Sequence, residues 1–205
     1  MTINLYLGDS LEAMRQMPDK FYDLAIVDPP YGIDTKNAYS GSGKLKKRTL
    51  NADKKIEKWD IAPPVEYFSE LERVSKNRII WGGNYFPLPP TRCVICWDKV
   101  QPWQNFSQWE MAWTSYDKPA KLYKYDTKRV KKIHPTQKPV ELYKWILEVF
   151  AHPGDKILDT HLGSGSIAIA CHDMGYDLDA WEIDPDYFNL ARDRVYTHTR
   201  QMKLL

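Results

Sequence analysis

Two short stretches carry residue types that could do chemistry. The first is Asp28-Pro29-Pro30-Tyr31, which follows the apolar run Leu24-Ala25-Ile26-Val27. Pro29 and Pro30 have no backbone N–H and a fixed φ, so a strand must end there. The turn holds the Asp28 carboxylate, nearby carbonyls and the Tyr31 ring stiffly together. It offers acceptors beside an aromatic face. A flat base with an exocyclic amino group suits it: Asp28 and a prolyl carbonyl accept its two N–H donors while Tyr31 stacks on its face. Taken alone, the same residues read equally well as a strand and a Pro-rich turn.

The second stretch is Lys156-Ile157-Leu158-Asp159 running into Thr160-His161-Leu162-Gly163-Ser164-Gly165-Ser166. A strand, a Gly-x-Gly turn and a helix let the backbone approach a ligand closely and point helix N–H groups at it. Glu182 ends the following strand, seventeen residues beyond Gly165, where a carboxylate can take both hydroxyls of a ribose. Position 168 is Ala, so the dinucleotide pattern G-x-G-x-x-G fails, and no G-K-[ST] follows for a P-loop. A nicotinamide cofactor is disfavoured. A ribose-bearing ligand without a large phosphate requirement remains, and S-adenosylmethionine satisfies that description.

These residues need elements to hold them. Ile3 to Leu7 reads as a strand, followed by a helix over Leu11 to Met17 with Asp9 or Ser10 as N-cap. Leu24 to Val27 is an unbroken apolar run, as in a parallel strand covered on both faces. Residues 34–58 are polar and basic and read as a long loop beside the Asp28 turn. Pro63 and Pro64 open a helix to Val74 with Val65, Phe68, Leu71 and Val74 on one face. Arg78 to Trp81 is a strand ending in Gly82-Gly83-Asn84-Tyr85-Phe86, and Cys93 to Trp97 and Glu110 to Thr114 are two more. Residues 98–132 read as a small recognition insertion. The run Ile133-His134-Pro135-Thr136-Gln137-Lys138-Pro139 precedes a helix over Val140 to Phe150. A helix over Ile167 to Met174, a strand over Asp179 to Ile183 and a final helix from Pro185 through Tyr196 complete a βαβα run, hence an α/β parallel sheet in a single domain, 1–205.

With 205 residues the chain can bury a real core but not two full domains. Eight Trp and thirteen Tyr favour aromatic-rich clefts over a disordered chain. Net charge is only +2, yet the cations cluster. Lys44, Lys46, Lys47, Arg48, Lys54, Lys55 and Lys58 form one group; Lys118, Lys121, Lys124, Lys128, Arg129, Lys131 and Lys132 form another. Each is a solvated face or a contact for phosphates, and tyrosines interleaved in the second favour the latter; Lys44, Lys46, Lys47, Arg48, Lys128 and Arg129 are the candidate polyanion contacts. Three Cys argue against a disulfide framework, so a reducing cytoplasm is expected, and no apolar run reaches the ~20 residues that cross a bilayer. Cys93-Val94-Ile95-Cys96 reads as a buried strand rather than a metal site. The five histidines, His134, His152, His161, His172 and His198, show no metal-site spacing, so no metal is expected.

Asp28-Pro29-Pro30-Tyr31 with Asp159 and Gly163-Ser164-Gly165 far downstream resembles the amino-methylating DNA methyltransferases, in the class whose catalytic motif precedes the cofactor motif. Gly8-Asp9-Ser10, Trp81-Gly82-Gly83-Asn84-Tyr85, the His134 to Pro139 run and Glu182-Ile183-Asp184 sit where small, phage-like members carry similar stretches. The resemblance covers most of the chain. It implies a circularly permuted, mostly parallel Rossmann-like methyltransferase sheet with one antiparallel strand and helices on both faces. It implies further that Asp28, Pro29, Pro30 and Tyr31 hold a flipped base and that Asp9 lies near the adenine of S-adenosylmethionine or the site floor. Thr136, Gln137 and Lys138 would meet the methionine end, Asp159, Gly163, Ser164 and Gly165 would line the pocket, and Glu182 would bind the ribose. His161 stands where the family usually has Phe and Thr160 where Pro is common; the turn glycines are kept.

The expected reaction is methylation of adenine N6 in double-stranded DNA, in-line from a sulfonium, with the base extruded from the duplex. Cytosine N4 is the nearest alternative, since the same acceptors suit its amino group, and Asp at position 28 leans towards adenine by resemblance. A non-catalytic DNA- or cofactor-binding protein is a third reading, which the intact Asp28 motif opposes. The target sequence, a homodimer and a restriction-endonuclease partner stay open.

Overall fold

The computed structural model describes residues 1–33, 61–102, 107–126 and 137–201. In chain order the elements are β1 (Ile3–Leu7), α1 (Ser10–Arg15), β2 (Tyr22–Val27), α2 (Val65–Val74), β3 (Ser75–Trp81), a 3-10 turn (Gly83–Tyr85), β4 (Val94–Asp98), β5 (Trp109–Thr114), β6 (Lys121–Lys124), α3 (Val140–Phe150), β7 (Lys156–Asp159), α4 (Ser166–Met174), β8 (Asp177–Glu182) and α5 (Pro185–Gln201). The strands form one sheet in the order β1-β8-β7-β2-β3-β5-β4-β6. β5 pairs antiparallel with both β3 and β4; the other pairings are parallel, so β5 alone opposes the rest. This is the mostly parallel Rossmann-like sheet that the resemblance implies.

Apolar residues on successive strand positions explain why both faces are covered. On β2, Leu24 and Ile26 enter one core with Ile79, Trp81, Leu142, Ile146, Ile167 and Ala191, under α3, α4 and α5. Ala25 and Val27 enter the other with Met14, Tyr67, Leu71, Val74 and Ile80, under α1 and α2. Period-two alternation with both phases apolar is the signature of a sheet sandwiched between helix layers.

Several boundaries differ from expectation, each for a physical reason. α1 ends at Arg15, with Asp9 Oδ1 accepting the Leu11 N–H at 2.8 Å as the N-cap. On α2 the buried residues are Tyr67, Leu71 and Val74 rather than the stripe from Val65, which is 69% exposed. Tyr67 wins because its hydroxyl finds a buried partner, Thr160 Oγ1, at 2.5 Å. β6 has no counterpart in the sequence pattern: it is a four-residue strand with alternating partly buried and exposed positions, and the sheet edge supplies its pairing to β4. Within 98–132, both β5 and β6 are thus strands of the central sheet. The basic stretch 34–58 and residues 127–136 lie outside the described residues, and with them Lys44, Lys46, Lys47, Arg48, Lys128, Arg129 and Thr136. Among the described residues no helix is long and apolar enough to cross a membrane.

Ile79 is fully buried on β3, in the middle of the sheet. Ile79→Ala should lower folding stability by about 2–5 kcal/mol, read as a drop in urea midpoint at unchanged m-value.

Candidate active site

Four neighbouring parallel strands end in an acid. In the sheet order β1-β8-β7-β2, Asp9 follows β1 after Gly8, Glu182 closes β8, Asp159 closes β7 and Asp28 follows β2. The carboxyl edge of an open α/β sheet, where strands stop and loops diverge, is where such folds bind ligands. Gly8 N–H donates to the Glu182 carbonyl at 2.9 Å, which locks the first two ends together.

Glu182 is the hinge of the cofactor half. Its Oε2 accepts the Gly163 N–H at 2.9 Å and its Oε1 accepts the Asp184 N–H at 3.0 Å. The carboxylate therefore holds the Gly turn, with the Ile183 N–H as a further backbone donor. Burial raises its pKa, and the backbone N–H donors oppose that. Gly165, with φ +74, caps α4 in the left-handed region. A Cβ there would lie 3.0 Å from Val195 Cγ2 and 3.4 Å from Ala191 Cβ, so α5 packs on the bare backbone. At Gly8 an added Cβ would meet nothing within 4 Å, and at Gly163 nothing closer than 3.8 Å, so the edge stands open at both.

Asp159 is buried and accepts the His161 N–H at 3.0 Å. Burial first, and then the charges of Asp28 and Glu182, push its carboxyl up to about 8. His161 makes a ring contact edge-on to Tyr67 at 5.6 Å and pairs through Nδ1 with Thr160 Oγ1 at 2.9 Å. Burial lowers its pKa to about 4, so the ring is neutral at pH 7 and fills an aromatic position.

In the other half, Tyr31 Oη donates to Asp28 Oδ1 at 2.9 Å. The Tyr31 ring rests on Gly82, whose φ of +66 only glycine adopts cheaply. A Cβ on Gly82 would lie 2.2 Å from Tyr31 Cε1 and 2.6 Å from both Cδ1 and Cζ, directly over the ring face. A Cβ on Gly83 would lie 2.3 Å from Trp113 Cβ. The glycine pair is thus the seat of Tyr31 and lets β5 close against the turn. The half-exposed Tyr85 stacks on Tyr31 with centroids 5.0 Å apart and planes at 21°.

Lys138 joins the halves. Its ammonium is 2.5 Å from Asp28 Oδ2, 3.3 Å from Glu110 Oε2 and 4.9 Å from the Trp81 ring centroid. Burial alone would lower its pKa, yet Asp28 and Glu110 hold it above the ordinary value, so the site keeps a full positive charge. Glu110 sits lower than usual against its own desolvation, because Lys138 and Lys99 face it.

The N6/N4 family of DNA methylases matches residues 80–193, more than half of the chain. The chain belongs to that DNA methylase family. The match takes in Gly82, Glu110, Lys138, Asp159, the Gly turn and Glu182, and begins beyond Asp28. The type II methyltransferase M1.MboII of Moraxella bovis is 28% identical over 149 residues, 72% of this chain and 49% of that protein. The chain spans about half the length of this curated relative. M1.HpyAVI, solved in complex with SAM, superposes with a TM-score of 0.62 at 19% identity, over 95% of this chain and 99% of that one. The PvuII DNA methyltransferase, cytosine-N4-specific, gives 0.63 at 14% identity, over 98% and 92%. At these identities the likeness is one of fold.

Seen as a DNA methylase, the chain brings Asp9, Asp28, Tyr31, Lys138, Asp159, Gly163, Gly165 and Glu182 to one sheet edge. Two sequence-selected residues also make contacts within the protein. The Ser164 hydroxyl pairs with Ser166 Oγ at 3.1 Å and its carbonyl accepts from Arg194 at 2.7 Å. The Lys138 ammonium faces two carboxylates. Gln137 is buried beside it. Glu110 and Lys99 carry no local sequence signal for the site, whereas the Gly82-Gly83 turn ahead of an aromatic pair is legible in the sequence. His172 and His198, expected as surface or loop histidines, meet Asp173 across α4 and α5 with the three ligand-type atoms within 4.8 Å of one another. Lys144 already takes the Asp173 carboxylate at 2.6 Å and His198 Nε2 its other oxygen at 2.7 Å, so the group is paired as a helix–helix link.

A carboxyl pushed up to about 8 costs stability with a defined sign. Below the unfolded value, about pH 4, both states hold the proton; from there to about pH 8 the unfolded state ionises and the folded state does not, so stability falls as pH rises. Asp159→Asn keeps an acceptor for the His161 N–H and removes this loss. Its urea midpoint relative to the native chain should rise between about pH 5 and about pH 8; parallel midpoints would contradict the assignment.

Proposed function

We propose that this chain transfers the methyl group of S-adenosylmethionine to the N6 amino group of adenine in double-stranded DNA. The observation that carries the reading is the meeting of Asp28 and Tyr31 with the acid-lined, glycine-floored edge at β1, β8 and β7, an amino-group acceptor beside a ribose acceptor. The donor set fits this cofactor: it is cationic, carries an ammonium, an amino group and two ribose hydroxyls, and meets a row of carboxylates with open backbone at Gly8 and Gly163. When bound, it supplies a methyl group on a sulfonium, which needs no metal to leave.

The residues of the chain then have separable tasks. Glu182 takes the ribose hydroxyls; Asp9, Asp159, Gly163, Ser164 and Gly165 form the pocket wall, Gln137 and Lys138 close the end nearest Asp28, and Thr136 is assigned with them to the methionine end of the cofactor. Tyr31 offers a stacking face worth ~1–3 kcal/mol, which offsets part of the few kcal/mol of base extrusion. Asp28 and the Pro29 carbonyl, shaped by Pro30, accept both hydrogens of the amino group and so concentrate its lone pair on nitrogen. That pair forms the new N–C bond as the C–S bond breaks with its electrons left on sulfur. One amino proton passes to the Asp28 carboxylate and on to water. Alignment of the reactants supplies much of the acceleration. Lys44, Lys46, Lys47, Arg48, Lys128 and Arg129 are the proposed phosphate contacts, with residues 98–132 as the recognition segment.

Cytosine N4 is the second reading, because the same acceptors fit that amino group and one neighbour in fold is named as cytosine-N4-specific. Nucleoside analysis of duplex DNA after incubation with methyl-labelled cofactor separates the two. Asp28→Ala should abolish transfer with cofactor affinity within about threefold, whereas Glu182→Ala should weaken cofactor binding about tenfold or more, ~1.4 kcal/mol. Equal loss of both properties in either variant would contradict the division of tasks, and no label in DNA would overturn the activity.

A further inference from the structure

Glu110 is the acid on the one antiparallel strand, and its two oxygens are unequally occupied. Oε1 pairs with the Lys99 ammonium. Oε2 is sealed from solvent, makes no hydrogen bond, and faces Lys138 Nζ at 3.3 Å. The same ammonium is bonded to Asp28 Oδ2 at 2.5 Å, while Tyr31 occupies Asp28 Oδ1. A target amino group therefore arrives at a carboxylate whose oxygens are both engaged. Lys138 is buried, and a buried ammonium cannot leave one carboxylate unless another receives it.

We propose that Glu110 is a positioning residue that receives the Lys138 ammonium as the target amino group replaces it on Asp28. The inference rests on the amino-methylation reading above. A shift of a few tenths of an ångström brings Nζ within normal hydrogen-bond range of Oε2, and the Trp81 ring face borders the ammonium throughout. The pair of carboxylates thus acts as a two-position rest for one charge. In the free protein Lys138 keeps Asp28 neutralised; in the loaded protein Glu110 takes over and Asp28 is released to the base. Lys99, on the outer oxygen, sets how strongly Glu110 competes.

The test is single-turnover methyl transfer to DNA by the full chain, with cofactor and DNA affinities measured alongside. In Glu110→Gln the ammonium has only Asp28 as an anionic partner. The transfer rate should fall about 10- to 100-fold with both affinities within about twofold. Glu110→Asp, which keeps a carboxylate facing the ammonium, should recover part of the rate that Glu110→Gln loses. A purely structural role would leave Glu110→Asp no faster than Glu110→Gln. Lys99→Met, at the outer end of the network, frees Glu110 to compete harder and should transfer at least as fast as the native chain; it serves equally if Glu110→Gln does not fold. Native-like rates in Glu110→Gln, no recovery in Glu110→Asp, or slowing by Lys99→Met would overturn the proposal. A native chain that transfers no methyl group would overturn the functional reading and this inference with it, whereas an active native chain with an indifferent Glu110→Gln overturns this inference alone.

Discussion

A buried ammonium has to be paired, and Lys138 is paired with a residue 110 positions away in the chain. That requirement fixes where the segment entering α3 meets the turn leaving β2. Asp28 cannot drift without stranding Lys138, and Lys138 cannot drift without exposing Glu110 and Trp81 to an unpaired charge. The two proline-rich corners, Pro29-Pro30 and Pro139, hold the backbone on either side of this contact, Pro139 as the N-cap position of α3. Precision at the reacting end of the site therefore comes from electrostatics inside the core, with the prolines limiting what the backbone can do about it.

The sheet supplies the rest. Parallel strands bring their carboxyl ends to one edge, and the order β1-β8-β7-β2 sets four acids side by side although they come from both ends of the chain. Burial raises a carboxyl's pKa and like charges at close quarters add to it, which is why the Asp159 carboxyl is pushed up to about 8. Such an edge is costly when empty of cations. A ligand that is positively charged and rich in N–H and O–H donors relieves that cost, so the same arrangement that strains the free protein selects its ligand. The glycines at 82 and 165 serve a different purpose, letting Tyr31 and α5 approach backbone where any side chain would collide.

What could be read in advance follows the range of the interactions. Asp28-Pro29-Pro30, the Gly163-Ser164-Gly165 turn and the apolar runs of β2, β7 and α3 are local signals, and each lies where the sequence places it. Tyr67 rather than Val65 lies on the buried face of α2 because a partner 93 residues away, Thr160, pairs with its hydroxyl. Glu110 reads locally as the polar start of a strand; only the antiparallel insertion of β5 between β3 and β4 turns it towards Lys138. β6 has too few apolar residues to announce itself, and an edge next to β4 completes it. Long-range pairing, not local pattern, carries the information that the sequence conceals.

The central claim is that one half of the carboxyl edge holds S-adenosylmethionine while the Asp28 half receives the base. A crystal structure of the full chain with the cofactor bound tests it most directly. The ribose hydroxyls should lie within hydrogen-bond distance of Glu182, with the Gly163 to Gly165 turn against the ligand and the methyl group directed at the space beside Asp28 and Tyr31. Cofactor density elsewhere on the sheet, or a methyl group turned away from Asp28, would contradict it.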